Sequence, residues 1–212
     1  MAMPDPVIIE AKAWPRLLCL LVHGRGQTPD DLAPLVEAAQ AAQARIVMPV
    51  AEGKSWYDAK AADPLTAETE AQLASSLDVL HRTLVAAHDP ALPILLGGFS
   101  QGACLVAEYL MQVGGADAAC ILTGARVGTS VDGLPIRSQR GVPIYLTGSD
   151  ADPWITLSAF EALTRDLHRA GARLRCDMLP GRQHEISVPE IAVFAEMAEA
   201  LATARFPFGD AA

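Results

Sequence analysis

Three residues that can act together on an acyl group follow three strand-like segments of the chain. The first is Ser100, in the sequence G-F-S-Q-G at 98–102, which comes directly after the apolar run at 93–97. A strand that passes through G-x-S-x-G into a helix holds the serine hydroxyl out of the fold, beside a backbone N–H. The flanking glycines allow a tight turn with a strained serine. The pattern predicts a nucleophile, although glycine is common enough for it to arise by chance.

An acid and a histidine follow in the loops after two later strand candidates. Asp152 comes after the candidate strand at 142–147, and His184 follows the last candidate strand. A neutral histidine can take the serine proton and return it to a leaving group, while an acid behind it fixes its tautomer. Asp150 is the alternative acid. We favour Asp152 because Pro153 stiffens its loop, and we expect Asp150 to cap the turn or face solvent. The order Ser, Asp, His is that of α/β-hydrolases.

Acyl transfer also needs two N–H donors for the oxyanion of its tetrahedral intermediate. One is expected from Gln101, the residue after the serine. The other is expected from the loop H-G-R-G at 23–26, where paired glycines let the backbone approach a ligand, and its natural donor is the Arg25 amide. We expect His23 to organise this loop rather than to act as a base. The remaining histidines, at 81, 88 and 168, fall within helix candidates and are expected on solvated faces.

Apolar segments of strand length alternate with longer amphipathic segments along the chain. The strand candidates are residues 7–10, 17–22, 45–48, 93–97, 118–122, 142–147 and 172–178, and the helix candidates are 29–44, 67–88, 101–113, 155–170 and 188–204, with Thr28 and Ser187 as N-caps. Several strands are apolar throughout, as in a parallel sheet covered on both faces. The alternation predicts a doubly wound, mostly parallel α/β sheet of about seven strands with helices on both faces, in one domain at 1–212. Sites in such sheets form at the C-terminal strand ends.

Composition argues against several classes of function. The formal net charge of −9 argues against nucleic acid and anionic membranes as partners. The longest apolar run, at 17–22, is far short of the ~20 residues that span a bilayer. The first residues resemble no signal peptide, so we expect a cytoplasmic protein. The four cysteines show no metal-ligand spacing and are expected to be buried, reduced thiols, and neither a metal nor a cofactor is expected.

Five segments together resemble a known family. They are H-G-R-G at 23–26, S-W-Y-D at 55–58, G-G-F-S-Q-G-A at 97–103, D-P at 152–153 and H-E-I-S at 184–187. They are similar to the phospholipase/carboxylesterase family, small α/β-hydrolases related to acyl-protein thioesterases, and the resemblance covers essentially the whole chain. It implies a serine esterase with Ser100, Asp152 and His184 as triad and the Arg25 and Gln101 amides as oxyanion donors. It also implies no cofactor and often a homodimer.

The chain departs from the family pattern in three places, one of which is the stretch 124–141, whose Arg126, Arg137 and Arg140 do not match the thioesterases well. Gln183 precedes the histidine where the family usually has glycine, and Arg25 stands where the thioesterases mostly have an apolar residue. We therefore expect a carboxylesterase acting on small to medium acyl substrates through an acyl-enzyme, with acyl thioesterase as the alternative. A hydrolase-fold ligand sensor without turnover is the alternative from another class.

Three residues in loops facing the site are candidates for binding the substrate. Trp56 and Trp154 lie in loops facing the site and are candidates for walls of an acyl pocket, but either can instead fill the core. The Arg25 side chain can bind an anionic group of the substrate or form an ion pair with an acid such as Asp58. The chain length leaves no room for a large lid, so we expect Ser100 to be open to a small-molecule ester or thioester.

Overall fold

A seven-stranded sheet lies at the centre of the computed structural model, which describes residues 4–61, 63–129 and 133–209. The strands are β1 (Val7–Ile9), β2 (Leu17–Val22), β3 (Ala44–Met48), β4 (Ile94–Phe99), β5 (Ala118–Leu122), β6 (Pro143–Gly148) and β7 (Arg173–Met178). Their spatial order is β1-β3-β2-β4-β5-β6-β7. Strands β2 to β7 run parallel, and β1 pairs antiparallel with β3. The predicted mostly parallel sheet is confirmed.

Helices cover both faces of this sheet. They are α1 (Ala33–Ala41), α2 (Ala67–Ala87), α3 (Gln101–Gln112), α4 (Leu157–Arg169) and α5 (Val188–Ala202). Successive residues of a strand point to opposite faces. Leu18 and Leu20 of β2 therefore belong to the same buried cluster as side chains of α2, α3 and α4, whereas Leu17 and Leu21 belong to the cluster that contains side chains of α1 and α5. Each fully buried leucine contributes roughly 1.5–3 kcal/mol by leaving water, so the apolar runs place these strands in the interior.

The helix predicted at 29–44 is wrong in its extent. Pro29–Leu32 forms a 3₁₀ turn, α1 begins only at Ala33, and Ala44 already belongs to β3. Pro34 lacks a backbone N–H, which is tolerated in the first turn of a helix but not in its interior. The fourth helix likewise begins at Leu157 rather than at 155, because Thr156 caps it by accepting a hydrogen bond from the Ala159 amide.

Three of the four cysteines are buried, as predicted, and one is not. Cys19, Cys104 and Cys120 lie in the interior, whereas Cys176 is exposed. Its strand, β7, is one of the two edge strands of the sheet and is covered less completely than the central strands. Within the described ranges, no helix is long and apolar enough to cross a membrane.

Candidate active site

Ser100 lies at the sharp turn between β4 and α3. Its φ of 55° and ψ of −120° are strained for a non-glycine residue, and its amide donates to the Leu122 carbonyl of β5 at 3.0 Å. The glycines on either side leave the space for this turn. A β-carbon on Gly98 would lie 2.6 Å from the Gly102 carbonyl, and one on Gly102 would overlap the Val22 carbonyl. The turn therefore presents the Ser100 hydroxyl at the C-terminal edge of the sheet.

A hydrogen-bonded chain joins Ser100 to the histidine and the acid singled out from the sequence. His184 Nε2 lies 2.8 Å from Ser100 Oγ, and His184 Nδ1 lies 2.7 Å from Asp152 Oδ2. The Phe99 ring packs against the His184 ring, with their centroids 5.0 Å apart. When Nδ1–H donates to the carboxylate, Nε2 is the acceptor for the Ser100 O–H. The geometry suits proton transfer from serine to histidine.

Asp152 is held as a carboxylate by its surroundings. Its other oxygen, Oδ1, accepts hydrogen bonds from the amides of Trp154 and Ile155, both at 2.9 Å. Burial alone raises the pKa of Asp152, but these amides and the bond from His184 outweigh it and hold the pKa below its ordinary value. The acid is therefore ionised at neutral pH and stabilises the Nδ1–H tautomer of His184.

Asp150, the alternative acid, does not contact the histidine. Its Oδ1 accepts a hydrogen bond from the Gly181 amide at 2.7 Å and so caps the turn that precedes His184. The neighbouring Ser149 hydroxyl donates to the Arg182 carbonyl at 2.7 Å. The loops that carry the acid and the histidine are thus tied together at two points.

The two amides proposed for the oxyanion hole flank Ser100. Gln101 begins α3, where unpaired N–H groups and the helix dipole favour a negative charge. The Arg25 loop lies against Ser100, because a β-carbon on Gly24 would stand 3.2 Å from the serine Cβ. Within 4–61, 63–129 and 133–209, neither the Arg25 amide nor the Gln101 amide donates to another protein group. The role of these two amides as oxyanion donors stays a prediction.

The Arg25 side chain binds backbone carbonyls rather than a carboxylate. Its guanidinium donates to the carbonyls of Tyr57 at 3.0 Å, Asp58 at 3.0 Å and Ala59 at 2.7 Å. The Asp58 carboxylate instead accepts from the Gln72 side chain at 2.8 Å. The expected ion pair between Arg25 and Asp58 is thus wrong, because the forked guanidinium matches three adjacent carbonyls.

The Gln101 side chain binds the same stretch of chain. Its Oε1 accepts from the Trp56 amide at 3.0 Å, and its Nε2 donates to the Tyr57 carbonyl at 2.7 Å. Arg25 and Gln101, the residues predicted to supply the oxyanion donors, therefore both anchor residues 56–59 through their side chains. The sequence pattern gave no sign of this second role.

Trp56 does not form a pocket wall beside Ser100, which corrects the prediction. Its side chain is buried, and its indole N–H donates to the His23 carbonyl at 2.8 Å. His23 is buried as well and accepts from the Ala51 amide at 3.2 Å. Burial is the main cause that lowers the pKa of His23, so this ring is neutral. His23 therefore has the structural role in the loop at 23–26 that the sequence predicted.

A cavity of about 420 Å³ opens beside Ser100 and His184. Its walls include Trp154, as predicted, and mainly apolar side chains of two loops and α3; the full lining is Arg25, Tyr57, Ala59, Lys60, Ala61, Ser100, Gln101, Cys104, Pro153, Trp154, Ile155 and His184. Trp154 is 62% exposed. Burial raises the pKa of Cys104 to about 11, so this thiol is neutral and does not compete with Ser100 as a nucleophile.

A second, larger cavity of about 1750 Å³ lies at the opposite edge of the sheet. It is formed around the N-terminal ends of the strands and the segment after α5, with Arg16, Pro93, Pro143 and Phe206 among its lining residues. None of Ser100, Asp152 and His184 contributes to it. The chemistry therefore assigns the smaller cavity, not the larger one, to the site.

The fold and the order of the site residues define the class of protein. A mostly parallel sheet with a serine at a strand-to-helix turn, followed along the chain by an acid and a histidine, is the α/β-hydrolase fold. The sequence profile described as Phospholipase/Carboxylesterase matches residues 3–201. The chain belongs to this family, as its motifs predicted, and is a hydrolase.

Solved structures agree with this fold. A phospholipase/carboxylesterase from Dyadobacter fermentans superimposes with a TM-score of 0.81 at 23% identity, covering 92% of this chain and 95% of that one. A Bacillus cereus carboxylesterase gives 0.75 at 21%, covering 92% and 93%. A variant of SOBER1 from Arabidopsis thaliana gives 0.69 at 19%, covering 87% and 98%. No curated protein matches the sequence significantly. At such identities these likenesses establish the fold alone.

Proposed function

We propose that this protein is a serine esterase that hydrolyses carboxylic esters of small to medium acyl chains through an acyl-enzyme on Ser100. The observation that carries the proposal is the unbroken chain from Ser100 Oγ through both nitrogens of His184 to Asp152, at 2.8 and 2.7 Å. Membership of the phospholipase/carboxylesterase family supports it. The two unoccupied amides next to the serine supply what the developing oxyanion requires.

In the first half of the reaction the serine is acylated. Ser100 Oγ attacks the ester carbonyl as His184 Nε2 takes its proton, and the carbonyl oxygen becomes an oxyanion that accepts from the Gln101 and Arg25 amides. The Asp152 carboxylate stabilises the imidazolium so formed. When the intermediate collapses, the C–O bond to the alcohol breaks, and His184 returns its proton to the leaving alkoxide oxygen.

In the second half water releases the acid. A water molecule gives a proton to His184 Nε2 and attacks the acyl carbon, and the same two amides hold the second oxyanion. Collapse breaks the bond between the acyl carbon and Ser100 Oγ, which recovers its proton from His184. The products are one carboxylic acid and one alcohol, and the protein returns to its starting state.

The cavity beside Ser100 supports an acyl group of limited size. At about 420 Å³ it falls within the range of small-ligand sites. Tyr57, Cys104, Ile155 and Trp154 give it mainly apolar walls, which suit a hydrocarbon chain. Because the same reaction also cleaves thioesters, the preference between esters and thioesters has to be measured directly.

The experiment pairs a fluorophosphonate probe with matched ester and thioester substrates of increasing acyl length. We expect stoichiometric labelling of Ser100 and faster turnover of esters with short to medium chains. Ser100→Ala should lose both labelling and turnover, roughly 10⁶-fold in kcat as when a triad serine is removed elsewhere, with unchanged thermal unfolding. Absence of labelling in the wild type would favour a ligand sensor, and preference for every thioester over its ester would favour a thioesterase.

A further inference from the structure

We propose that Arg182 is a positioning residue that holds the His184 imidazole where it can form its hydrogen bond with Ser100. The inference rests on the proposed function. The Arg182 side chain reaches around the backbone of the histidine. Its Nη1 donates to the Gln183 carbonyl at 2.8 Å and to the Glu185 carbonyl at 2.6 Å. A single nitrogen thus bridges the carbonyls on both sides of His184.

The two carbonyls that Arg182 binds belong to a tight turn centred on His184. The Glu185 amide donates to the Gln183 carbonyl at 2.8 Å, so residues 183–185 form a three-residue γ-turn with His184 at its apex. Such a turn is short and has one internal hydrogen bond of its own. The bridge from Arg182 ties both ends of the turn to the interior.

Arg182 is itself anchored to three elements of the core. Its Nη2 donates to Thr123 Oγ1 at the end of β5, at 2.6 Å. The Thr123 amide donates to Thr147 Oγ1 of β6 at 3.0 Å, and that hydroxyl donates to Glu190 Oε1 of α5 at 2.6 Å. Arg182 Nε lies 3.7 Å from Glu190 Oε2, an ion-pair contact without a hydrogen bond, so the four residues form a closed circle of contacts. Both charged side chains are almost fully buried, at 6% and 0% exposure.

These contacts around Arg182 fix the position of His184 relative to β5 and β6, the two strands that also position Ser100 and Asp152. Strand β6 leads into the loop of Asp152, and β5 is the strand whose Leu122 carbonyl holds the Ser100 amide. A change at Arg182 therefore moves His184 relative to both partners at once. Displacement of a catalytic group by about 1 Å can cost about 100-fold in rate.

A second buried arginine supplies a matched control. Arg126 is 4% exposed and pairs with Glu108 at 2.7 Å and Asp166 at 2.9 Å, so its loss also leaves buried carboxylates without their cation. It contacts none of Ser100, Asp152 and His184 among the described residues. The two arginines have comparable structural environments, and only Arg182 grips the histidine turn.

The experiment compares Arg182→Met, Arg182→Lys and Arg126→Met with the wild type below their unfolding temperatures. We expect Arg182→Met to lose kcat by about 10- to 100-fold with KM nearly unchanged. Arg182→Lys keeps the positive charge, but its single nitrogen replaces three and cannot hold both carbonyls, Thr123 and Glu190 together. This variant should therefore fold and still lose kcat by about 10-fold. Arg126→Met should lower the unfolding temperature and retain kcat. If Arg182→Met does not fold, Arg182→Lys decides the outcome.

A substrate-independent measurement separates this inference from the proposed function. The proton on His184 Nδ1, hydrogen-bonded to Asp152, should give a low-field NMR resonance that is absent in His184→Gln. We expect this resonance to broaden or vanish in the Arg182 variants and to persist in Arg126→Met. The inference is overturned if a folded Arg182 variant keeps both the resonance and its kcat, or if Arg126→Met loses both equally. A wild type that keeps the resonance but cleaves no ester overturns only the proposed function.

Discussion

The backbone of Gly24 lies against Ser100, close enough that a β-carbon on the glycine would stand 3.2 Å from the serine Cβ and 3.3 Å from the Phe99 carbonyl. It would also stand 2.7 Å from Gln27 Oε1, the atom that accepts from the Gly24 amide at 2.9 Å. Arg25 follows Gly24 in the chain and lines the same cavity as Ser100, which supports its amide as the second predicted oxyanion donor.

Gly24→Ala should therefore lower kcat. The added methyl group pushes the loop away from Ser100 and displaces the Arg25 amide from the oxyanion, and loss of one such donor costs about 100- to 1000-fold in kcat. Steady-state kinetics on a short ester measure the effect. The control is Gly115→Ala, whose φ of 87° strains an alanine but whose β-carbon meets nothing within 4 Å. Equal kcat in wild type and Gly24→Ala would contradict the placement of this donor.

The two aspartates of one loop should differ sharply in their effect on turnover. Asp152→Asn removes the carboxylate that fixes the His184 tautomer, and we expect kcat to fall by about 10⁴-fold. Asp150→Asn keeps an oxygen for the Gly181 amide and should reduce kcat by less than about 10-fold. Both variants are compared at pH 7 with the same ester. Similar losses in the two would show that the acid has been assigned to the wrong aspartate.

The lowered pKa of Asp152 predicts a pH-dependent contribution to stability. A carboxyl with a folded-state pKa below its unfolded value of about 3.9 stabilises the fold fully above that value. This contribution is lost as the pH falls through the folded-state pKa. In urea titrations from pH 6 to pH 3, the free energy of unfolding of wild type should therefore fall more steeply than that of Asp152→Asn. Parallel curves would contradict the direction of the shift.

Removal of the Arg25 guanidinium should affect neutral and anionic esters alike. Arg25→Met loses three hydrogen bonds to the carbonyls of residues 57–59 and loosens a cavity wall, so we expect kcat/KM to fall by about 10-fold on both substrates. Lys60→Met is the matched control, because it removes a positive charge from the same cavity. A loss confined to anionic esters would instead show that Arg25 binds the charge of the substrate.

The order of the site residues could be predicted because each follows a recognisable strand, apolar before Ser100 and Asp152 and alternating in β7 before His184. Buried parallel strands are recognisable by their composition, and their C-terminal ends meet at one edge of the sheet. Ser100, Asp152 and His184 therefore had to lie near one another once the strands were placed. The later start of the helix within 29–44 could also have been predicted, because Pro34 is tolerated in the first turn of a helix but not in its interior.

Other features depend on contacts between distant parts of the chain. An aromatic residue in a loop suits a pocket wall and a core position equally, and Trp56 became a core residue through its bond to the His23 carbonyl. Arg182 resembles any charged loop residue, and no local pattern indicates that Glu190 and Thr123 enclose it. The homodimer implied by the family resemblance stays a prediction.

The anchoring of residues 56–59 has a consequence for how substrate preference can diverge. Arg25 and Gln101 grip this segment only through its backbone amide and carbonyl groups. The side chains of Ala59 and Ala61 line the cavity and take no part in these bonds. Larger or smaller residues at these two positions can therefore reshape the room for an acyl chain while the oxyanion donors stay in place. Substitutions at Ala59 and Ala61, natural or engineered, can thus change the selectivity for the acyl chain without changing the residues that carry out the reaction.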